Sequence, residues 1–240
     1  MQRDNEGTSV RVALRPGQTA RLLATISGVL VAISLVVKAI HSPIVEVLGL
    51  RALLNVDNEA NIPSLFSSLL LLGAGLLLFV VAARSAEANP GHRRYWRALG
   101  WIFLFMGVDE ATSIHEHLNF VGHVLRRIGV GGMYEGAFAW PWVIPGVIVV
   151  LIVTAAFARF VFALPGRTRT LLIASAVVYI SGALVLEMVG GLAGAGTGVP
   201  GPGLTPAVLV AHVEELLEML GVTLFIYALL DYSGPVTIRA

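Results

Sequence analysis

Apolar residues fill six long stretches of this chain, and short segments richer in polar residues separate them. Each stretch is about 20 residues or longer, which is enough for an α-helix to cross the roughly 30 Å hydrocarbon core of a bilayer. The second and fourth stretches hold no charge over about 20 residues. The pattern therefore predicts six transmembrane helices, at residues 22–40, 62–83, 98–118, 136–164, 171–193 and 206–232.

Composition points to the same class of protein. Hydrophobic residues make up 56% of the 240 residues and charged residues only 13%, whereas a soluble domain carries about 25% charge. With a mean hydropathy of +0.82, the expected fold is all-α, a polytopic integral membrane protein built as a six-transmembrane-helix bundle. The chain has no cysteine, which excludes disulfides, thiolate zinc sites, cysteine-ligated iron–sulfur clusters and covalent c-type haem.

Positive charge predicts the orientation of the bundle. Twelve of the 16 Lys and Arg residues fall on the side that holds both termini, and cytoplasmic loops are the ones enriched in these residues. We therefore expect a bacterial cytoplasmic (inner) membrane protein with a cytoplasmic tail at 1–20, a single membrane domain at 21–232 and a second cytoplasmic tail at 233–240. The first stretch lacks a cleavage site at its end, so it is interpreted as a retained anchor.

Two outer segments have the composition of short interfacial helices, residues 42–55 and 119–135. Ser42 followed by Pro43, and Thr205 followed by Pro206, are favourable starts for a helix, with a capping side chain and then proline at the first helical position. Asp57 and Glu59, just before the second span, have two readings. They either cap that span or belong to a functional site at its outer end.

Carboxylates inside the predicted spans are the strongest functional signal in the sequence. A carboxylate in lipid costs several kcal/mol unless it is protonated, paired or bound to a metal. Seven of the 15 acidic residues nevertheless lie within predicted spans, in the half towards the outer side: Asp109, Glu110, Glu116, Glu187, Glu214, Glu215 and Glu218.

Helical geometry indicates which of these side chains could meet. On an ideal third span, Asp109, Glu110, Glu116 and His117 share an arc of roughly 120°, and His115 falls outside it.

On the sixth span, His212, Glu215 and Glu218 are spaced at i, i+3 and therefore share one face, with Glu214 beside it. Glu187 shares its side of the fifth span with small residues, which would let another helix come close.

The sequence also resembles a group of bacterial multi-pass membrane proteins of unassigned function. The matching segments are 59–64 (EANIPS), 66–68 (FSS), 109–110 (DE), 114–116 (IHE) and 214–221 (EELLEMLG), which lie on the second, third and sixth spans. The resemblance implies that His115 and Glu116 matter as a pair, whereas the ideal helix favours His117. It carries no activity that can be transferred.

A site rich in carboxylates, with few imidazoles and no thiolates, suits divalent iron, manganese or zinc. The ligand set is similar to ferritin-like dimetal carboxylate sites by analogy; the fold is not. A haem is disfavoured, because so many acids would surround it. The candidate metal ligands are Asp109, Glu110, His115, Glu116, His117, Glu187, His212, Glu215 and Glu218, with Glu214 as a general base or a group that orients a ligand.

Three functions stay open at this point. The first is a dinuclear metal site for hydrolysis or oxidation of a lipid-soluble substrate. The second is a cation or proton-coupled transporter. The third is an accessory subunit of a larger membrane complex, in which the acids form a structural network. The sequence leaves open whether the protein is an enzyme. The expected partners are membrane lipids and a homo-oligomer or larger complex, without nucleic acid.

Overall fold

The computed structural model describes residues 11–40, 42–88, 90–117, 124, 127–129, 136–193, 203–234 and 236–239. About 84% of the structure is helical, which confirms the all-α class. The helices are α1 (Pro16–Ala39), α2 (Pro43–Val47), α3 (Leu50–Leu54), α4 (Ile62–Ala88), α5 (Pro90–Thr112), α6 (Val143–Phe162), α7 (Gly166–Ile180), α8 (Glu187–Leu192) and α9 (Pro206–Ser233).

Four helical segments are long and apolar enough to cross a membrane: Pro16–Ala39, Ile62–Ser85, Val143–Phe162 and Gly166–Leu192. They belong to α1, α4, α6 and the continuous helix formed by α7 and α8. Helices α5 and α9 have comparable lengths of 23 and 28 residues, but both carry several charged side chains. The structure is therefore that of a membrane protein with at least these four candidate spans.

The two predicted helix starts have the expected local geometry. The Ser42 hydroxyl accepts a hydrogen bond from the Ile44 amide at 3.3 Å at the start of α2. The Thr205 hydroxyl accepts one from the Val208 amide at 3.3 Å at the start of α9. Each bond satisfies a backbone donor that has no partner within its helix. Segment 42–55 thus forms the short helices α2 and α3, whereas most of segment 119–135 lies outside the described residues.

Helices α4 and α5 form a close antiparallel hairpin. The Ser68 hydroxyl donates a 2.7 Å hydrogen bond to the Gly107 carbonyl at one end, and the rings of Phe79 and Trp101 pack edge to face at 5.2 Å towards the other. Between these points, a Cβ on Gly75 would lie 3.1 Å from the Gly100 carbonyl oxygen. Small residues let the two backbones approach along most of their length.

A second close antiparallel pair joins the helix 166–192 to α9. A Cβ on Gly182 would lie 2.8 Å from the Glu214 carbonyl oxygen, and one on Gly221 would lie 2.7 Å from the Tyr179 amide nitrogen. At the far end Arg167 donates to the Asp231 carboxylate at 2.8 Å. Between α7 and α8 the chain forms a π-helical turn, Ser181–Leu186, a wider turn that often occurs at functional sites.

The apolar core lies between α4, α5 and α9, in the half of the bundle near the termini. Leu78, Trp96 and Leu229 are completely buried there. Beneath this core, residues Arg11–Leu14 (β1) pair antiparallel with Val236–Arg239 (β2). The pairing, which the sequence did not indicate, holds the chain on either side of the helices together.

The third predicted span differs most from its sequence-based bounds. Helix α5 ends at Thr112, not near residue 118. Ser113 adopts a left-handed conformation with φ of 52°, and a 3₁₀ turn follows at His115–His117. A left-handed residue ends a helix, so the ideal helical arc does not apply beyond Thr112. The side chain of Glu116, a predicted ligand, lies outside the described residues.

Candidate functional site

Carboxylates from four parts of the fold meet in the half of the bundle away from the termini. Asp57 and Glu59 come from the segment before α4, Glu110 from α5, Glu187 from the start of α8, and Glu214, Glu215 and Glu218 from α9. We call these seven residues the acidic cluster. Three of the four parts are helices: the helix 166–192 is held close to α9 by Gly182 and Gly221, and α5 is held close to α4 by Gly75.

Electrostatic interactions within the acidic cluster are mainly repulsive. The charges that act most strongly on Glu215 are those of Glu218, Glu110, Glu59 and Asp57, all carboxylates. Glu218 in turn interacts with Glu110, Glu187 and Glu59, and it accepts a hydrogen bond from the Tyr179 hydroxyl. Such a concentration of negative charge in an apolar bundle requires cations, protons or both.

A small cavity lies beside two members of the acidic cluster, Glu110 and Glu218. Its volume is about 10 Å³, and Ser67 of α4, Glu110 of α5, Tyr179 of α7 and Glu218 of α9 contribute to its walls. The remaining walls are apolar, formed by Leu70, Leu71, Met219 and Val222. A space of this size holds about one water molecule, and both Glu110 and Glu218 border it.

The π-helical turn places Glu187 against α9. Glu187 and Glu214 share a side-chain hydrogen bond, which requires that one of the two carboxyl groups carries a proton. The Trp142 indole donates a further hydrogen bond to Glu187 Oε1 at 3.3 Å. Glu214, predicted as a general base, therefore already has a partner with which to exchange a proton.

Asp109 and His115 form a hydrogen-bonded pair beside the acidic cluster, at the end of α5. Asp109 Oδ1 accepts from the His115 amide at 2.9 Å, and Oδ2 lies 3.0 Å from His115 Nδ1. His115 lies beyond the helix end. Burial lowers the pKa of His115, but the hydrogen bond and charge of Asp109, together with the charges of Glu59 and Glu110, raise it by more, so the pKa stands above its ordinary value of 6.5.

The two candidate histidines of this turn differ in their surroundings. His115 is partly buried, its ring packs against Trp142 at 5.2 Å, and it interacts with the charges of Glu59 and Glu110. His117 is exposed, and its Nδ1 donates to the Ser113 carbonyl at 2.9 Å. The break at Ser113 is what turns His115 towards the acidic cluster.

His212 is buried, with 2% exposure, but it faces α1. Its Nδ1 donates to the Val208 carbonyl at 2.7 Å, so Nε2 accepts from the Ser34 hydroxyl at 2.8 Å. Ser34 Oγ also accepts from the Val56 amide at 3.0 Å. Both ring nitrogens of this predicted ligand are thus occupied, and the Nε2 bond to Ser34 helps to fix the segment that carries Asp57 and Glu59.

Asn61 gives the same segment its shape. Its side chain donates to the Asn55 carbonyl at 2.6 Å and accepts from the Ser64 amide at 3.0 Å. These bonds explain how a non-helical segment delivers Glu59 to the acidic cluster. The motif at 59–64 contained the relevant residues, but the sequence alone did not distinguish a helix cap from a site. No sequence signal pointed to Tyr179.

The acidic cluster does not have the geometry of a formed metal centre. Among the described residues, no three or more Asp, Glu and His side chains stand in positions that could hold one metal ion. The structure thus brings together Asp109, Glu110, His115, Glu187, Glu214, Glu215 and Glu218, places His117 at the surface and His212 against α1, and leaves their ligand roles as predictions.

Comparison with known proteins identifies the family and no activity. No curated protein matches the chain. No solved structure matches it either. One family, described as a domain of unknown function, matches residues 22–232, which include every helix of the acidic cluster. Because this match covers most of the chain, the protein belongs to the family of that domain, DUF8692.

Proposed function

We propose that the chain crosses the bacterial inner membrane six times, with both termini in the cytoplasm. Helix α5 accompanies α4 along most of its length, and α9 accompanies the helix 166–192 in the same way. A helix that runs beside a spanning helix over its full length also spans. The β1–β2 pairing supports an even number of crossings, because it holds both ends of the bundle on one side.

Single cysteines test this topology, since the chain has none of its own. The exposed residues Ala52 and Leu204 lie on the proposed outer side, and Gln18 and Gly166 on the inner side. We expect a membrane-impermeant maleimide to label A52C and L204C in spheroplasts, and Q18C and G166C in inside-out vesicles. Labelling of A52C and L204C from opposite sides would rule out six spans in this order.

We further propose that the acidic cluster binds divalent metal, with iron, manganese or zinc as candidates and a dinuclear centre as the arrangement. The observation that carries the proposal is the environment of Glu215, whose strongest electrostatic neighbours are four other carboxylates within an apolar bundle. Binding requires side-chain rotations that bring Glu110, Glu215 and Glu218 towards one centre. A divalent cation would offset the repulsion that these groups otherwise experience.

The chemistry that follows is metal-assisted hydrolysis or oxidation of a lipid-soluble substrate. A bound metal supplies an activated water or oxygen. Within the chain, Glu214 can accept a proton and pass it to Glu187, to which it is hydrogen-bonded. On the inner side of Glu218, the buried side chains of Met219, Val222, Phe225 and Ile226 are apolar, with Thr223 as a buried polar residue among them. These apolar side chains favour a site that opens to the outer side, rather than a continuous path for ions through the membrane.

Elemental analysis of the purified protein tests metal binding. We expect about two equivalents of metal per chain after purification without chelator, and loss of that metal in E215A. The matched control is E46Q, because Glu46 is an exposed carboxylate paired with Arg51 on the outer surface and should keep the metal content unchanged. Metal-free wild-type protein that does not bind added iron, manganese or zinc would disprove the proposal.

A further inference from the structure

Asp109 commits both carboxylate oxygens to one residue. It lies in the last turn of α5, where the chain turns back through Ser113. Oδ1 accepts the backbone N–H of His115 at 2.9 Å, and Oδ2 lies 3.0 Å from the Nδ1 of the same residue. Each oxygen thus already accepts one hydrogen bond from His115, and these bonds compete with direct binding of a metal.

The hydrogen bond to Oδ2 determines the tautomer of His115. An ionised carboxylate can only accept hydrogen bonds, so Nδ1 must carry the proton. In the neutral imidazole, the lone pair is then on Nε2. Asp109 therefore selects the form of His115 in which the nitrogen farther from the backbone is basic.

The surroundings of His115 fix the ring in this orientation. The Trp142 ring packs against it with an interplanar angle of 66°, and Trp142 is itself tied to Glu187 by its indole hydrogen bond. The charges of Glu59 and Glu110 act on His115 from the acidic cluster. The imidazole thus lies beside that cluster, with its conformation restrained at Nδ1 by Asp109 and on its face by Trp142.

We propose that His115 contributes Nε2 as the imidazole ligand of the metal site and that Asp109 is its positioning residue, not itself a ligand. The inference rests on the proposed function, since it assigns roles within that site. Metal-binding histidines commonly donate their other ring N–H to a carboxylate, and removal of that partner lowers metal affinity about 10–100-fold. Two further observations favour His115 over the other candidate histidines: His117 is exposed, and both ring nitrogens of His212 are already used by Val208 and Ser34.

The test combines a spectroscopic measurement with an affinity measurement, both on the full-length protein in detergent. In metal-free protein labelled with ¹⁵N-histidine, we expect His115 to be protonated at Nδ1 in the wild type and at Nε2 in D109N. The asparagine oxygen can still accept the His115 amide, so the turn can form, while the amide group donates to Nδ1. An Nε2–H tautomer in the wild type would overturn the inference.

The affinity arm uses Zn²⁺ alone, measured by calorimetry. We expect D109N to bind about 10–100-fold more weakly, H117A to bind like the wild type, and the double variant D109N/H115A to bind no worse than H115A. Losses that add in the double variant would instead make Asp109 a ligand in its own right. Equal affinity of D109N and wild type would also overturn the inference, whereas absence of Zn²⁺ binding by the wild type would overturn the proposed function itself.

Discussion

Alanine in place of Gly221 is expected to lower the free energy of unfolding by about 1–3 kcal/mol, the usual cost of forcing extra volume into a packed interface. The new Cβ would lie 2.7 Å from both the amide nitrogen and the Cβ of Tyr179. These are backbone-linked atoms, so the two helices must separate for the methyl group to fit. Separation also moves the Tyr179 hydroxyl away from Glu218, with which it is hydrogen-bonded.

Thermal unfolding in detergent measures the effect, and G73A is the matched control. Gly73 is also within a long apolar helix, but a Cβ at this position meets no atom within 4 Å. Alanine is the better helix former, so we expect G73A to be as stable as the wild type or slightly more stable. If G221A and G73A melt at the same temperature, α7 and α9 do not pack as described.

Replacement of Glu218 by glutamine is expected to have opposite effects on stability and on metal binding. Glu218 is repelled by Glu110, Glu187 and Glu59, and glutamine removes that repulsion while retaining an oxygen that can accept the Tyr179 hydroxyl. The metal-free E218Q protein should therefore melt at a higher temperature than the metal-free wild type, by about 2–4 °C for each kcal/mol gained.

Added Zn²⁺ should reverse this order. A ligand at 100 times its Kd stabilises the folded state by about 2.7 kcal/mol, which we expect for the wild type and not for E218Q. The comparison requires melting curves of both proteins with EDTA and with Zn²⁺, and E46Q as an exposed carboxylate control whose pair with Arg51 is worth about 0–1 kcal/mol. Equal stabilisation of all three proteins by Zn²⁺ would place the metal outside the acidic cluster.

Features that depend on neighbouring residues were predictable from the sequence. The caps at Ser42 and Thr205 need only the preference of a hydroxyl for the first free amides of a helix. The apolar stretches need only the length of a bilayer crossing. The shared face of Glu215 and Glu218 on α9 also follows from helical spacing, and both residues do lie in the acidic cluster.

Features that depend on a break in regular geometry were not predictable. The helical arc that favoured His117 over His115 assumed an unbroken helix, but the left-handed backbone of Ser113 interrupts that helix. Glu59 reaches the site through a segment shaped by Asn61 and Ser34, and two partners of Ser34 lie 22 and 178 residues away along the chain. The pairing of β1 with β2 joins the two ends of the chain, which no local pattern reports.

The π-helical turn at Ser181–Leu186 sets the direction in which the Glu187 side chain points. A π turn is wider than an α turn, with i→i+5 hydrogen bonds in place of i→i+4. Because each residue advances an α-helix by 100°, a regular α-helix through the same residues would present Glu187 at a different angle to Glu214, with which it shares a hydrogen bond. That hydrogen bond therefore depends on the backbone conformation of Ser181–Leu186 as well as on the chemistry of the two side chains.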